Sequence, residues 1–211
     1  MPPADATPWG VVVPVKRLAH AKSRLAAYGG ALRQELALAF AADVVAAALR
    51  CEAVERVLVV SDDERAAAVL RGLGATVVAD APDDGLNPAL RHGAALLRAD
   101  RPDCGVATVS ADLPSLRAED LAAVLAQVPR GGRAFVADAD GRGTTLLAAG
   151  PGAELDPAYG GGSRTRHLAS GAVELAGPAA LRRDVDTPED LRRALALGLG
   201  PRTSAVVDRL P

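Results

Sequence analysis

The stretch VATVSADLP at residues 106–114 joins a short run of small and β-branched residues to an aspartate near its end. Such a run predicts a strand buried in a sheet, and Pro114 ends it because proline has no N–H for the ladder. The pattern therefore places Asp112 at the carboxyl end of the strand, where open parallel α/β sheets bind their ligands. A carboxylate in this position is a candidate metal ligand.

The segments around this stretch alternate between strand and helix patterns. We predict strands over 10–15, 56–60, 75–78, 106–109 and 134–137. We predict helices over about 31–50, 64–73, 88–98, 118–127 and 188–197. Because strands that alternate with helices form parallel sheets, the order indicates an α/β fold.

Two features of these helices can be tested against a structure. The first helix repeats apolar residues at every fourth position, so we expect one core-facing stripe formed by Leu32, Leu36, Phe40, Val44 and Ala48. The shorter helices are preceded by small polar residues that typically cap a helix start, namely the run 61–63, Asn87 before Pro88, Ser115, and Thr187 before Pro188.

Length and composition predict one ordinary globular domain. At 211 residues, without a long Pro/Gly/Ser-rich linker, the chain fits a single domain over 1–211 with a frayed end over 1–8. Lys and Arg number 24 against 26 Asp and Glu, a near balance that argues against a nucleic-acid partner. The 2% aromatic content also nearly excludes base-stacking platforms.

The chain carries no pattern for a secreted or membrane protein. No apolar run approaches the length of a membrane span, and the N-terminus lacks a signal-peptide pattern. Cys51 and Cys104 have the spacing of neither a zinc site nor a disulfide framework. We therefore expect a cytoplasmic protein with no membrane partner, and the sequence leaves its oligomeric state open.

Acidic and basic residues follow several predicted strands. In the extended segment Asp184-Val185-Asp186 the two carboxylates point the same way and, with Asp112, could bind Mg²⁺. The alternative is that Asp112 starts a turn and Asp186 only prepares the next helix. Three cations after the first strand could neutralise a polyphosphate or simply form a solvated loop, namely Lys16, Lys22 and Arg24.

Two glycine-rich segments, GRGTT at 141–145 and YGGGS at 159–163, offer backbone N–H groups beside hydroxyls. Neither is a Walker A loop or a dinucleotide-binding fingerprint. Both segments suit a small carboxylate or phosphate, and both are equally typical of flexible turns. We predict a loop over 159–165. The three histidines lack ligand spacing and are interpreted as surface or packing residues: His20, His92 and His167.

Taken together, these residues resemble one family, the 2-phospho-L-lactate guanylyltransferases, which include the phosphoenolpyruvate guanylyltransferases of coenzyme F420 biosynthesis. The resemblance covers nearly the whole chain in order. It rests on PVKRLAHAKSRL at 14–25, LNPAL at 86–90, ADLP at 111–114, GRGT at 141–144, YGGGS at 159–163 and DVDTPEDL at 184–191. Arg142 and the triple glycine at 160–162 depart from the family pattern.

The resemblance implies a three-layer αβα sandwich with a mostly parallel, Rossmann-like sheet of the nucleotide-diphospho-sugar transferase type. It implies transfer of GMP from GTP to the phosphate of a small phosphorylated carboxylic acid, with Mg²⁺ bound by Asp112 and Asp184. Thr144, Gly160 and Ser163 would hold the acid. Asp186 is a third candidate ligand.

The nucleotide side of the site is assigned from charge and placement. Lys16, Lys22 and Arg24 are expected on the triphosphate, and Asn87 of the LNPAL motif is taken as a further nucleotide contact. Asp112, Asp184 and Lys22 are the residues expected to carry catalysis. Because positioning and charge neutralisation suffice for attack of a phosphate oxygen on the α-phosphorus, no side-chain nucleophile is required.

The acceptor and the type of reaction stay open at this level. The acceptor could be phosphoenolpyruvate, 2-phospho-L-lactate or 3-phosphoglycerate, because pockets discriminate weakly between such similar acids. The Ala- and Arg-rich composition is typical of a GC-rich bacterial genome. For a bacterial protein, the resemblance to the family implies phosphoenolpyruvate as the commoner acceptor, and we favour it. Two further hypotheses are nucleotidyl transfer to a sugar phosphate or pterin, and a non-catalytic nucleotide-binding protein.

Overall fold

The computed structural model describes residues 7–81 and 84–210, which build a seven-stranded sheet in the order β3-β2-β1-β4-β6-β5-β7. Strand β6 runs antiparallel to its neighbours β4 and β5, and the other pairings are parallel. The strands are β1 (Trp9–Pro14), β2 (Val54–Val60), β3 (Thr76–Val78), β4 (Gly105–Val109), β5 (Arg133–Ala137), β6 (Thr144–Ala149) and β7 (Val173–Glu174).

Helices connect most of these strands. They are α1 (Gly30–Arg50), α2 (Glu64–Gly72), α3 (Leu86–Asp100), α4 (Ala118–Leu125), α5 (Ser163–Ala169), α6 (Ala179–Arg182), α7 (Pro188–Leu197) and α8 (Pro201–Val207). The five predicted strands and five predicted helices are confirmed, with ends that shift by a few residues. The frayed end predicted over 1–8 falls mainly on residues outside the described part of the chain.

The sheet is covered by helices on both faces. Because side chains alternate along a strand, Val11 and Val13 of β1 pack in the cluster that contains α1, α2 and α4 residues, whereas Val12 packs in the cluster with α3. Helix α3 approaches closely, since a Cβ added at Gly93 would lie 2.8 Å from Val12 Cγ1. The predicted three-layer αβα sandwich is therefore confirmed.

Helix α1 is the element on which our sequence interpretation was wrong in detail. It is buried on all sides from Leu36 to Ala48 rather than along one stripe. The reason is a second covering layer, in which α7 and α8 pack Leu191 and Val206 against the outer face of α1. The sequence pattern had not predicted α8.

A buried carboxylate fixes this outer layer. Asp43 of α1 is only 4% exposed and accepts hydrogen bonds from the backbone N–H of Thr203 at 2.8 Å and of Arg202 at 3.2 Å. Asp43 thus satisfies the free donors at the start of α8 from another helix. Gly200 allows this approach, because a Cβ there would lie 2.3 Å from Asp43 Cγ.

Two of the predicted caps are confirmed and two are wrong. Asp63 accepts from the N–H of Ala66, and Thr187 forms a capping box with Asp190. Asn87 lies inside α3, whose N-cap is Gly85, and its side chain is used elsewhere. Ser115 does not cap α4, whose N-cap is Arg117. Its hydroxyl donates instead to the carbonyl of Ala194 in α7 at 3.0 Å.

Two segments predicted as loops contain short helices. The segment 16–25 includes 3₁₀ turns at Leu18–His20 and Ser23–Tyr28. In the glycine-rich segment 159–165, α5 begins at Ser163 after Gly162, which adopts a left-handed φ of 73°. A seven-residue helix carries too few residues for an apolar repeat, which is why the pattern missed it. No helix in the described part of the chain is long and apolar enough to cross a membrane.

Candidate active site

The sheet order brings the predicted site residues to one edge. Strands β1, β4 and β5 run in the same direction, so their carboxyl ends meet at one edge, and antiparallel β6 begins there. Asp112 follows β4, and Thr144 is the first residue of β6. The backbone N–H of Val185 donates to the carbonyl of Asp112 at 3.0 Å, which fastens the 184–186 segment beside Asp112.

Lys22 lies at the centre of an acidic cluster. Its Nζ lies 2.5 Å from Asp112 Oδ2 and 2.7 Å from Asp186 Oδ1. Burial favours a lower pKa for Lys22, but the charges of Asp112 and Asp186 and the hydrogen bonds to them outweigh it and raise the pKa. Arg24 approaches the same Asp186 at 3.7 Å but is 73% exposed. The two predicted cations therefore differ sharply in their environment.

The backbone that presents Lys22 is unusual. Lys22 has a φ of 53°, in the left-handed region that side chains other than glycine rarely adopt. The guanidinium of Arg33 in α1 donates to the carbonyls of Ala19, at 2.8 Å, and Ala21. These bonds hold the turn before Lys22 in place. Strained residues of this kind concentrate at functional sites, which agrees with a functional role for Lys22.

The cluster carries more negative charge than Lys22 compensates. Burial, together with the charge of Asp112 and then of Asp186 and Asp138, raises the pKa of Asp184 to about 7. In the described part of the chain, Asp112 Oδ1 is buried without a hydrogen-bond partner. Hard carboxylate oxygens that lack a partner and repel one another form a donor set that fits a divalent cation. The predicted ligands Asp112, Asp184 and Asp186 thus lie at this edge, and their role in metal binding stays a prediction.

This donor set is not a closed cage. Within residues 7–81 and 84–210, no group of three or more His, Cys, Asp or Glu side chains is arranged so that it could hold a metal ion. Lys22 lies between Asp112 and Asp186, so a cation bound to both would have to displace the amine. An open site agrees with Mg²⁺, which usually keeps waters and shares its coordination with substrate phosphates.

Thr144 and Ser163 meet in a buried network. Ser163 Oγ donates to Thr144 Oγ1 at 3.1 Å, and His167 Nδ1 lies 2.9 Å from the same oxygen. The backbone N–H of Ala158 donates to His167 Nε2 at 3.0 Å. His167 is fully buried, and burial together with the charges of Arg166 and Arg133 lowers its pKa to about 4. The sequence had offered no signal for this network beyond the two hydroxyls.

The two glycine-rich loops lie against each other. The backbone N–H of Arg164 donates to the carbonyl of Arg142 at 3.2 Å. Asp138, which the sequence pattern did not single out, accepts from the N–H groups of Arg142 at 2.8 Å and Gly143 at 2.7 Å. A Cβ at Gly143 would lie 2.3 Å from Asp138 Oδ2, so any other residue would have to displace this carboxylate. Asp138 therefore shapes the loop that leads to Thr144.

The other predicted substrate contacts lie nearby or point elsewhere. Gly160 is exposed, with a φ of 122°. Lys16 is exposed in the loop after β1. The amide of Asn87 pairs with the backbone of Tyr159, with Asn87 Nδ2 3.1 Å from the carbonyl and Oδ1 2.7 Å from the N–H. Asn87 thus anchors the start of the YGGGS loop, and its contact with the nucleotide stays a prediction.

A cavity that the sequence did not predict opens at the ends of β2 and β3. Its volume is about 660 Å³, and its lining includes Arg17, Ser61, Asp62, Arg71 and Asp80. Arg17 belongs to the same loop as Lys16 and Lys22. The basic loop after β1 therefore lies between this cavity on one side and the acidic cluster on the other.

The carboxylates at the edge of the mixed sheet and the basic loop beside them form a site suited to a metal ion and to phosphate groups. The fold of the protein is similar to a crystal structure described as a nucleotide-diphospho-sugar transferase from Desulfovibrio desulfuricans, with a TM-score of 0.70 and 16% identity over 95% of this chain and 94% of that chain. The structure of a nucleotidyl transferase from Methanothermobacter is also similar, with a TM-score of 0.61 and 22% identity over 90% of this chain and 97% of that chain. Residues 9–207 match the family described as "Guanylyl transferase CofC like", and the chain belongs to this family.

Two curated relatives are similar along nearly their whole length. The phosphoenolpyruvate guanylyltransferase of Thermomonospora curvata is 62% identical over 205 residues, which cover 96% of this chain and 90% of that protein. The phosphoenolpyruvate guanylyltransferase of Streptomyces coelicolor is 60% identical over 205 residues, covering 96% and 97%. The family predicted from the motifs of the sequence is thereby confirmed.

Proposed function

We propose that the protein transfers GMP from GTP to the phosphate of phosphoenolpyruvate and releases pyrophosphate, as a step of coenzyme F420 biosynthesis. The observation that carries the proposal is the cluster in which Lys22 Nζ lies 2.5 Å from Asp112 and 2.7 Å from Asp186 at the carboxyl edge of the sheet. The relatives at 62% and 60% identity support the choice of nucleotide and acceptor. The whole chain acts as one cytoplasmic domain in this proposal.

The proposed metal is Mg²⁺, held by Asp112 and Asp184 with Asp186 as a third ligand. Support comes from the unpartnered Asp112 Oδ1 and from the raised pKa of Asp184, both of which mark negative charge that a cation would compensate. When bound, the ion neutralises charge on the phosphates of GTP and holds them in place. Lys22 Nζ, which lies beside Asp112 and Asp186, would donate hydrogen bonds to those same phosphates.

The reaction needs positioning and charge neutralisation from the chain. An oxygen of the acceptor phosphate attacks the α-phosphorus of GTP, the bond between the α-phosphorus and the bridging oxygen breaks, and pyrophosphate leaves with that oxygen. Lys16, Lys22 and Arg24 neutralise the triphosphate, since all three lie in the loop after β1. The guanosine lies toward the cavity at the ends of β2 and β3, on the other side of this loop.

The acceptor lies toward the opposite half of the sheet in this proposal. Thr144 binds the acid through its hydroxyl and Gly160 binds it through its backbone N–H, while Ser163 donates its hydroxyl proton to Thr144. The support is that Thr144 begins β6 and Ser163 begins α5, so that their hydroxyls lie 3.1 Å apart at the edge that carries Asp112. Asn87 supports this site indirectly, because its amide holds the backbone of Tyr159, which directly precedes Gly160.

The test is pyrophosphate release by purified protein with GTP and Mg²⁺ across a panel of acids. Among the acceptors, we expect phosphoenolpyruvate to give the highest kcat/KM, followed by 2-phospho-L-lactate, with far lower values for 3-phosphoglycerate and sugar phosphates. When ATP replaces GTP, we expect kcat/KM to be far lower with every acceptor. Release with a sugar phosphate alone would favour a different acceptor class. Binding of GTP without release in the presence of any acid would favour a non-catalytic nucleotide-binding protein.

A further inference from the structure

The contacts of His167 determine which of its two ring nitrogens carries the proton. The backbone N–H of Ala158 can only donate, so His167 Nε2, 3.0 Å away, must present its lone pair. A neutral imidazole then carries its proton on Nδ1. That proton points at Thr144 Oγ1, 2.9 Å from Nδ1. The contacts of a fully buried ring thus fix the tautomer.

The hydroxyl oxygen of Thr144 already accepts two hydrogen bonds. It accepts from His167 Nδ1–H and also from the hydroxyl of Ser163 at 3.1 Å. A hydroxyl oxygen has two lone pairs, and both are now used. The hydroxyl proton of Thr144 then has no acceptor, because Thr144 Oγ1 has no further hydrogen-bond partner within residues 7–81 and 84–210. This hydroxyl can therefore only donate.

The burial of the three residues indicates where that proton points. His167 is 0% exposed and Ser163 is 1% exposed, whereas Thr144 retains 7%. Thr144 is also the residue at the carboxyl edge of the sheet, beside the loop that Asp138 organises. A donor-only hydroxyl binds an oxygen that offers lone pairs, and charge-assisted bonds to an anionic oxygen are the strongest of this kind.

We infer that His167 is a positioning residue that makes the Thr144 hydroxyl an obligatory donor, and that this selects an anionic oxygen of the phosphorylated acid at the start of β6. The inference rests on the proposed function for the identity of the ligand. It adds a role for a histidine that lies outside every motif of the sequence. His167 touches no substrate; it acts through Thr144.

Neighbouring contacts support the fixed ring. Tyr159 meets His167 edge-on, with ring centroids 5.4 Å apart at 76°, and Phe135 lies at 5.6 Å. Tyr159 is itself held by Asn87 through its backbone and by Thr108 through its hydroxyl at 2.6 Å. Because burial, with the charges of Arg166 and Arg133, lowers the pKa of His167 to about 4, the ring is neutral at pH 7.

One arm of the test reads the tautomer directly in the unmodified protein. In ¹⁵N-labelled protein, long-range ¹H–¹⁵N NMR distinguishes Nδ1–H from Nε2–H histidines, and the spectrum of His167→Asn assigns the signal. We expect His167 in the Nδ1–H form at pH 7. The Nε2–H form, or a doubly protonated ring, would overturn the inference whatever reaction the enzyme catalyses.

The other arm uses two matched variants. In His167→Asn the amide nitrogen replaces Nδ1 and still donates to Thr144, whereas in His167→Gln the terminal oxygen replaces Nε2 and only accepts from Ala158. We expect the KM for phosphoenolpyruvate to rise about tenfold in His167→Gln, the equivalent of about 1.4 kcal/mol, and to stay within about twofold in His167→Asn, because only the Gln variant loses the hydrogen bond to Thr144. The KM for GTP should be unchanged in both.

A double-mutant cycle isolates the route through Thr144. In a Thr144→Val background, His167→Gln should raise the acceptor KM no further, because the hydroxyl on which His167 acts is gone. Equal KM increases in the Asn and Gln variants, or full additivity in the cycle, would contradict the inference. A wild-type enzyme that is silent with every acid would refute the proposed function instead, while the tautomer still decides the role of His167.

Discussion

The amine of Lys22 bridges the carboxylates of Asp112 and Asp186, at 2.5 and 2.7 Å, although these residues lie 90 and 164 positions away along the chain. A lysine that is only 12% exposed thereby occupies the space between two of the proposed metal ligands. In this arrangement the chain supplies its own cation. We expect metal and lysine to compete for the same oxygens, and this competition can be measured.

Replacing Lys22 by Met should destabilise the metal-free protein by roughly 2 kcal/mol, because it leaves partly buried carboxylates without a counter-charge. Added Mg²⁺ should raise the melting temperature of Lys22→Met more than that of the wild type, and turnover should fall about 100-fold or more. Thermal melts with and without Mg²⁺ test this. Arg24→Met is the control, since its 73% exposed pair with the same Asp186 should change stability little. Equal Mg²⁺ responses in the wild type and Lys22→Met would contradict the competition.

Replacing Asp112 by Asn should abolish metal-dependent turnover and leave the fold intact. The neutral side chain removes a ligand and also removes part of the repulsion that raises the pKa of Asp184. Binding of Mn²⁺, followed by electron paramagnetic resonance, should weaken at least about tenfold. Asp140→Asn serves as the control, because Asp140 is 77% exposed and lies 4.0 Å from its partner Arg183. Unchanged Mn²⁺ affinity in Asp112→Asn would refute the metal role.

The stability of the protein should depend on pH through His167. Its pKa of about 4 in the folded state lies below the ordinary value of 6.5, so the unfolded chain takes up the proton first as the pH falls. The contribution of His167 to stability is then fully present above pH 6.5 and declines between about pH 6.5 and 4, by up to about 3 kcal/mol. Asp184, whose pKa is raised to about 7, contributes in the opposite direction over the same range, so the contribution of His167 is read as a difference from a His167 variant. Urea unfolding of both proteins at a series of pH values measures this difference.

The difference in unfolding free energy between the wild type and His167→Asn should fall by up to about 3 kcal/mol between pH 6.5 and 4, whereas the difference between the wild type and a variant of the exposed His20, His20→Asn, should stay constant. A difference between the wild type and His167→Asn that is constant over this range would show that His167 is not held in its neutral form by the fold.

Adding a methyl group at Gly143 should distort the loop before Thr144. A Cβ there would lie 2.3 Å from Asp138 Oδ2, and that oxygen accepts from the N–H of Gly143 itself. We expect Gly143→Ala to cost about 1–3 kcal/mol of stability, as overpacking does, and to raise the KM for the acceptor with little change for GTP. Gly30→Ala, where nothing lies within 4 Å, is the control. A normal acceptor KM would separate this loop from acceptor binding.

The position of a residue after a strand predicted where several candidate site residues lie in the fold, because it depends on local sequence alone. Asp112 could be placed after a buried strand, and the basic residues could be placed after the first strand, before any contact was known. The contact between Lys22 and Asp112 could not be predicted, since it depends on a left-handed turn that Arg33 holds from α1. Proximity across the sheet follows from topology, but individual pairs depend on loop conformation.

The residues that sequence reasoning missed have a common cause. His167 lies in a short helix without an apolar repeat, and its hydrogen bonds join Ala158 and Thr144 from separate segments. Asp138 follows a strand as Asp112 does, but its role is to bind backbone N–H groups of its own loop. The all-round burial of α1 arises from α8, whose short sequence gives no strong signal. In each case tertiary contacts, rather than local pattern, decide the outcome.

The most direct test of the proposed reaction is ³¹P NMR of the purified protein incubated with GTP, phosphoenolpyruvate and Mg²⁺. We expect the signals of GTP and phosphoenolpyruvate to fall together while free pyrophosphate and a pair of coupled diphosphate doublets, one for each phosphorus of the new P–O–P linkage, rise in equal amounts. Omitting Mg²⁺ or substituting Asn for Asp112 should prevent all of these changes. Unchanged substrates, or hydrolysis of GTP to GMP and pyrophosphate with phosphoenolpyruvate intact, would contradict guanylyl transfer to this acid.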